Sequence, residues 1–357
     1  MMRAFAAGQS HRLTSGGKAD EQPVVSQSLT LRITLVIVAI LIVSTSTFSQ
    51  QTSSASSPED VAFQAVKSAR NPAARLAAAE DFVANFPNSS RRPEIARLVS
   101  EQLPVLRNPQ VAIALVDRAC AIFTAPEELE FLQPVALEIY ADANRADEAF
   151  ALAAGFLSRK PDELWALVKM TYLGAREAKE RRLKYAEISL AYGLKAIDMI
   201  ENDQRQPGMT DSTWVDLKSK LFGLHIQIGL IKLAQGLTAE AKTQITMGTQ
   251  LQPNDPVGLA LLGRVLNSEY EKQMIDYEKM GEGSAKQNEK RRLDTLLDEI
   301  IGAYARAVAL ATGKEQHQTM LQQVVPDLTT YYKYRNNGSI TGLQKLIDKY
   351  KQRHFKN

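Results

Sequence analysis

The chain has 357 residues, 45% of them hydrophobic and 23% charged, with a single cysteine. That hydrophobic share excludes wholesale disorder, and one cysteine excludes an internal disulfide framework or a cysteine-cluster metal site. Net charge is +3, and with Arg3, Arg12, Lys18 and Arg32 set against Asp20 and Glu21 near the N-terminus the rest of the chain is almost neutral, which argues against a nucleic-acid binder.

Residues 1–32 read as a disordered extension, and residues 33–49 as a signal peptide or a membrane anchor. Arg32 precedes the apolar run Ile33 to Val43, after which Ser44 to Ser49 is small and hydroxyl-rich. A basic flank, a short apolar run and small residues form the layout of a secretory signal, with cleavage near Ser49. The competing readings are an uncleaved anchor spanning Ile33–Phe48 and a buried core helix. Length disfavours the anchor, and the polar neighbours Gln50–Ser57 disfavour the core helix. The protein is thus expected to be exported, periplasmic or secreted after cleavage, or else anchored in the inner membrane. Residues 50–57 form a polar linker.

From Ser57 onward the pattern is helical. Ser57-Pro58-Glu59-Asp60 offers a cap, a first-turn proline and acids at the positive helix end. Apolar residues recur at three- and four-residue spacing, and no stretch keeps strand alternation. Leu221–Leu233 is apolar almost all round, which predicts a helix packed on two sides. Pro87, Pro126, Pro161, Pro207 and Pro253 are read as marking where one unit stops and the next begins, since proline cannot continue a helix. Small residues precede two of them at the same offset, in Glu148-Ala149 and Glu240-Ala241.

Residues 222–255 resemble a tetratricopeptide repeat. Gly229 stands at the position of close helix contact, and Gly236 falls in the inter-helix turn. Ala241, Ile245 and Gly248 take the second helix's packing positions, and Pro253 closes the unit. The next unit begins in register with Leu259, Leu262 and Gly263, and its second helix reappears as Tyr304, Ala307, Val308 and Leu310. The unit Ala79-Glu80-Asp81-Phe82-Val83-Ala84-Asn85-Phe86-Pro87-Asn88 is similar to the bacterial-envelope form, with Phe82, like Phe156 in a later unit, in place of the usual small residue. The resemblance implies an all-α fold over residues 58–353: a right-handed superhelical stack of antiparallel helix pairs, preceded by the hydrophobic segment. An irregular helical bundle is the alternative. Residues 269–299 interrupt a repeat and read as a helical hairpin with a flexible tip at Gly281–Ser284.

Chemistry is scarce along the chain. His11, His225, His317 and His354 include no pair at helical metal-ligand spacing, and His225 in its apolar helix reads as a core histidine. Cys120 lacks an activating neighbour and reads as a small hydrophobe. Gly281-Glu282-Gly283 reads as a turn, and the pairs Glu127/Glu128 and Asp298/Glu299 as solvated or first-turn charges. The sequence therefore predicts no catalytic residue, no metal and no cofactor, and a protein that is not an enzyme.

The resemblance implies a groove lined by first-helix residues. In this register Glu138 and Asp142 of one unit, and Arg264, Asn267 and Ser268 of another, face it. Ile226, Leu230 and Leu233 are apolar at the equivalent positions, which points to a hydrophobic helix or extended peptide as ligand, or to a plain packing surface. Tyr331, Tyr334 and Arg335 form an aromatic cluster that would stack on a sugar or peptide, or seal the end of the array against a last helix at Leu343–Tyr350. The expected function is an interaction scaffold binding an unidentified protein or peptide. The alternatives are a membrane-anchored structural component of an envelope assembly and, more remotely, an enzyme on a helical toroid.

Overall fold

A computed structural model describes residues 56–354, with side chains through Lys351. The signal or anchor reading of Ile33–Phe48 lies outside the described residues, as does most of the linker. Among the described residues no helix is long and apolar enough to cross a membrane.

Fifteen α-helices follow one another without a strand among the described residues. Four of their starts share one chemistry. Ser57, Asn71, Asn108 and Asp255 each precede a proline, and each side chain accepts a hydrogen bond from a first-turn amide, as at Ala74 (2.8 Å) and Gly258 (2.6 Å). Proline at the first helical position loses no bond, because that amide has no intrahelical partner. These caps open α1 (Pro58–Ser68), α2 (Pro72–Asn85), α4 (Pro109–Ile122) and α12 (Pro256–Lys279). Pro126 is also a first-turn proline, although Ala125 before it has no capping side chain. It is the first residue of α5 (Pro126–Asp142), so it opens a helix rather than ending a unit.

Consecutive helices fold back into pairs. After α3 (Arg92–Ser100), which rests on α5, the pairs are α5 with α6 (Ala146–Arg159), α7 (Leu164–Lys179) with α8 (Ala186–Glu201), α10 (Leu221–Ala234) with α11 (Thr238–Leu251), and α12 with α13 (Ser284–Ala311). Short α9 (Asp211–Ser219) sits between the second and third of these. The turns inside three pairs are the same device. Asn144, Arg181 and Gly236 adopt positive φ (58°, 63° and 80°), and the next amide bonds back to Tyr140, Glu177 and Lys232 at 2.8–3.0 Å. That left-handed residue with its returning bond satisfies a helix-end carbonyl and reverses the chain.

Close contact between paired helices is set by glycines. A Cβ on Gly174 would fall 1.8 Å from Ser189 Oγ, on Gly229 2.5 Å from Ile245, and on Gly263 2.5 Å from the Tyr304 ring. Gly229 and Gly263 are 34 residues apart, the tetratricopeptide period. On the second helices, Gly193 and Gly248 make matching room for Ile228 and Ile226. The fold is therefore all-α and tetratricopeptide-like, a stack of antiparallel helix pairs whose middle is the most regular part. Ala149, Ala241 and Ala307 are fully buried in it. The core runs along the stack, from Phe63 to Ile231 and again from Leu259 to Ile347, with Ile226, Ala241, Ile245 and Val265 joining the stretches at α10, α11 and α12.

The hairpin arms of residues 269–299 are the outer ends of α12 and α13, joined through Met280–Gly283. From Glu271 to Arg292 no residue is fully buried, so this part extends past the core. The array is closed by α14 (Gln318–Arg335) and α15 (Leu343–His354), both on α13. Two helices contain proline in their interior, Pro134 in α5 and Pro326 in α14. Each removes one helical hydrogen bond and favours a local kink.

Candidate functional site

First-of-pair helices α5, α7, α10 and α12 provide the face on which a partner is expected. On α7 the residues that reach solvent are Trp165, Lys169, Tyr172, Arg176 and Lys179, a 4-3-4-3 spacing that puts them in one stripe. Glu138 and Asp142 form the exposed edge of neighbouring α5. Lys169 Nζ lies 2.7 Å from Asp142 and 3.7 Å from Glu138, so one cation serves both acids across the helix boundary. Arg176 donates to the Ala141 carbonyl at the end of α5. The Tyr172 hydroxyl rests on Gly223 of α10, where a Cβ would fall 1.8 Å from it, and burial pushes this phenol above its ordinary pKa. The result is a polar and aromatic strip that keeps two acidic side chains in solvent.

Of the two readings of the apolar α10 positions, a ligand floor or a plain packing surface, the burial of these residues favours the second. Ile226 is only 5% exposed and packs with Ala241, Ile245 and Val265, while Leu230 and Leu233 are half-buried against the same cluster. No residue from Leu221 to Gln235 is exposed. A helix apolar on all sides has more than one packing partner, and here α11 and α12 take the side that a hydrophobic ligand would need.

At the C-terminal end the expected residues divide between two roles. Arg264 is exposed on α12 and makes no ion pair among the described residues. Ser268 is half-buried beside it. Asn267 accepts a hydrogen bond from Tyr331 of α14 and donates to Glu271 at 3.0 Å. Tyr331 also stacks on Tyr304 with ring centroids 6.3 Å apart, and burial pushes its phenol up to about 12. Arg335 grips Asp298 of α13 through two nitrogens at 2.8 and 3.1 Å. Asn267, Tyr331 and Arg335 thus fasten α14 to α12 and α13. Tyr334 stays half-exposed. Asp327, although exposed as a residue, has its carboxyl pushed up by the protein packed around it; Arg264 opposes that rise and Glu271 adds to it.

Several groups with chemical potential are engaged structurally. His225 is 2% exposed, with Nδ1 2.8 Å from Gln244 Oε1. Burial pushes the Cys120 thiol up to about 11, which leaves little reactive thiolate at neutral pH. No group of three or more potential metal ligands occurs among the described residues. Glu128 takes the second of its two sequence readings: it is a first-turn acid of α5 rather than a solvated one, 1% exposed, 2.6 Å from Arg92 of α3, and it caps the Ala125 amide at 2.9 Å. Arg92 lies 36 residues away and nothing local announces the pair. The α7 stripe and the Gly174 contact were not singled out in the sequence; the signals that mark them are the 4-3-4-3 spacing and the glycine itself.

No family model matches the chain, and no curated protein matches it in sequence. A tetratricopeptide repeat protein from Parabacteroides merdae, with a solved crystal structure, is similar at a TM-score of 0.34 and 11% identity, over 74% of this chain and 96% of that one.

Proposed function

We propose that the protein is an exported, non-catalytic interaction scaffold whose first-helix face binds a segment of another protein. The observation that carries this reading is the strip formed by α5 and α7, where Glu138 and Asp142 remain in solvent beside Lys169, Trp165 and Tyr172. Paired helices hold these side chains in place before a partner arrives, so little ordering entropy is lost on binding. The closed floor at Ile226 favours a ligand that is polar along this side, a helix or extended segment with basic side chains opposite Glu138 and Asp142, over a hydrophobic one. Arg264 and Ser268 extend the face along α12.

Charge reversal tests the reading. Asp142→Lys should lower partner recovery with the full-length chain at least about tenfold, the loss of one good polar contact. Met247→Lys, on the exposed side of second helix α11, should leave recovery unchanged. Equal losses, or none, contradict the reading.

A second reading, an envelope component held at the membrane without recognising a peptide, is favoured by the apolar run Ile33–Phe48 behind Arg32. Intact mass after fractionation separates the two. Soluble protein beginning near Gln50 supports export with cleavage, and full-length protein in the membrane fraction supports the anchor.

A further inference from the structure

Away from the first-helix face, the residues where α13, α14 and α15 meet surround an open cleft of about 390 Å³. Asp298 and Gly302 come from α13, Tyr332 and Arg335 from α14, Asn336 from its end, and Tyr350 from α15. We propose that this cleft is a binding site for an uncharged pyranose saccharide.

Three features carry the assignment. The first is the lining: two tyrosines from different helices offer ring surface, and Asp298, Arg335 and Asn336 are planar polar groups of the kind that exchange paired hydrogen bonds with neighbouring hydroxyls. The second is charge. Asp298 and Arg335 grip each other at 2.8 and 3.1 Å, so the cleft has no spare charge to favour a phosphate or a carboxylate. Their unused lone pairs and N–H groups remain for a neutral ligand, and mutual pairing fixes both side chains beforehand. Tyr332 is fixed as well, its hydroxyl donating to the Thr341 carbonyl at 3.0 Å.

The third feature is Gly302. It lies inside α13, where glycine costs roughly 1 kcal/mol against alanine. Packing does not call for it, because the nearest atom to an added Cβ is the Tyr350 hydroxyl at an ordinary 3.7 Å. Gly174, Gly229 and Gly263, by contrast, are all forced by a neighbour. What the missing side chain at 302 does is leave space in the cleft. A peptide fits less well, since the aliphatic residues of the lining, Ile301 and Leu346, are themselves packed into the core and the lining holds no unpaired charge.

The test uses the full-length chain, in a detergent without a sugar headgroup where one is needed. Maltotriose, cellotriose and triacetylchitotriose, all uncharged, are probed at millimolar concentration by saturation-transfer NMR. At least one should show transfer, with Gly302→Met, which fills the cleft, weakening binding at least about tenfold. Asn336→Ala, at an exposed position, should weaken it several-fold, and gives the answer by itself if the methionine variant does not fold. No transfer to any of the three trisaccharides overturns the proposal, as does equal affinity in the folded variants. A short peptide that binds the cleft and is displaced by Gly302→Met, while no saccharide binds, would also overturn it.

Discussion

Gly263→Ala is the sharpest perturbation of the helix-pair architecture. The new methyl would lie 2.5 and 2.6 Å from two carbons of the Tyr304 ring and 3.0 Å from a third. Carbon atoms rest at about 3.5–4.0 Å, so the ring must retreat by roughly 1 Å. Tyr304 is 1% exposed and stacked on Tyr331, so it has no free direction in which to move. Overpacking of this kind costs about 1–3 kcal/mol, and alanine in a helix interior returns up to about 1 kcal/mol. The net expectation is a loss of about 1–2 kcal/mol, concentrated in α12, α13 and α14. Gly155→Ala in α6 is the matched control, because nothing lies within 4 Å of its added methyl. It should stabilise by up to about 1 kcal/mol through propensity alone. Urea titration followed by far-UV circular dichroism gives the sign of each change. Hydrogen exchange across α12 and α13 gives its location, since stacked repeats open locally. A Gly263→Ala protein as stable as the parent, or two variants shifting in the same direction, would refute the packing argument.

Arg92→Ala should be among the most damaging single changes, about 3–5 kcal/mol, because it strands the 1%-exposed Glu128 and frees the Ile122 and Pro87 carbonyls that Arg92 holds at 3.0 and 2.8 Å; urea titration measures it. Arg181→Gly should stabilise by about 0.5–1 kcal/mol, since the exposed arginine holds a left-handed conformation that glycine adopts without penalty; the thermal midpoint checks it. Glu177 is 6% exposed, and its two hydrogen bonds to Arg182, at 2.7 Å each, hold its carboxyl below the ordinary value. A depressed acid stabilises the fold above its unfolded pKa of about 4.3, and that contribution is lost as pH falls through the folded value. Glu177→Gln should therefore flatten the acid limb of a stability-against-pH curve while lowering stability at neutral pH.

Local features of this fold were legible in the sequence and long-range ones were not. Gly236 marked its turn, and Gly229 and Gly263 their helix contacts, because a glycine at such a position has few other uses. The turn at Arg181 is the same device as that at Gly236, but an arginine does not advertise a left-handed backbone. Pro126 opens a helix where the proline pattern suggested an end, since proline serves both purposes and only its neighbours decide. The closed floor at Ile226 was hidden for a different reason: periodicity shows that α10 is apolar on several sides, and does not say which neighbour covers each. Glu128 with Arg92, and Asp142 with Lys169, are meetings across 36 and 27 residues that no single helix encodes. At the C-terminal end, the sequence left Tyr331 and Arg335 between ligand contact and end seal. In the fold Tyr331 is bonded to α12 and stacked on α13, and Arg335 is bonded to α13, where together with Tyr332 and Asn336 it also lines the cleft.

The claim that the first-helix face is where partners bind is tested most directly by site-specific photo-crosslinking in the native host. A photoreactive residue would replace Tyr172 on α7 or Arg264 on α12, with Met247 and exposed Leu194 on the second helices α11 and α8 as reference positions. The account predicts a common adduct of one added mass at 172 and 264 and none at 194 and 247. The same adduct at all four positions, or adducts only at 194 and 247, would contradict it.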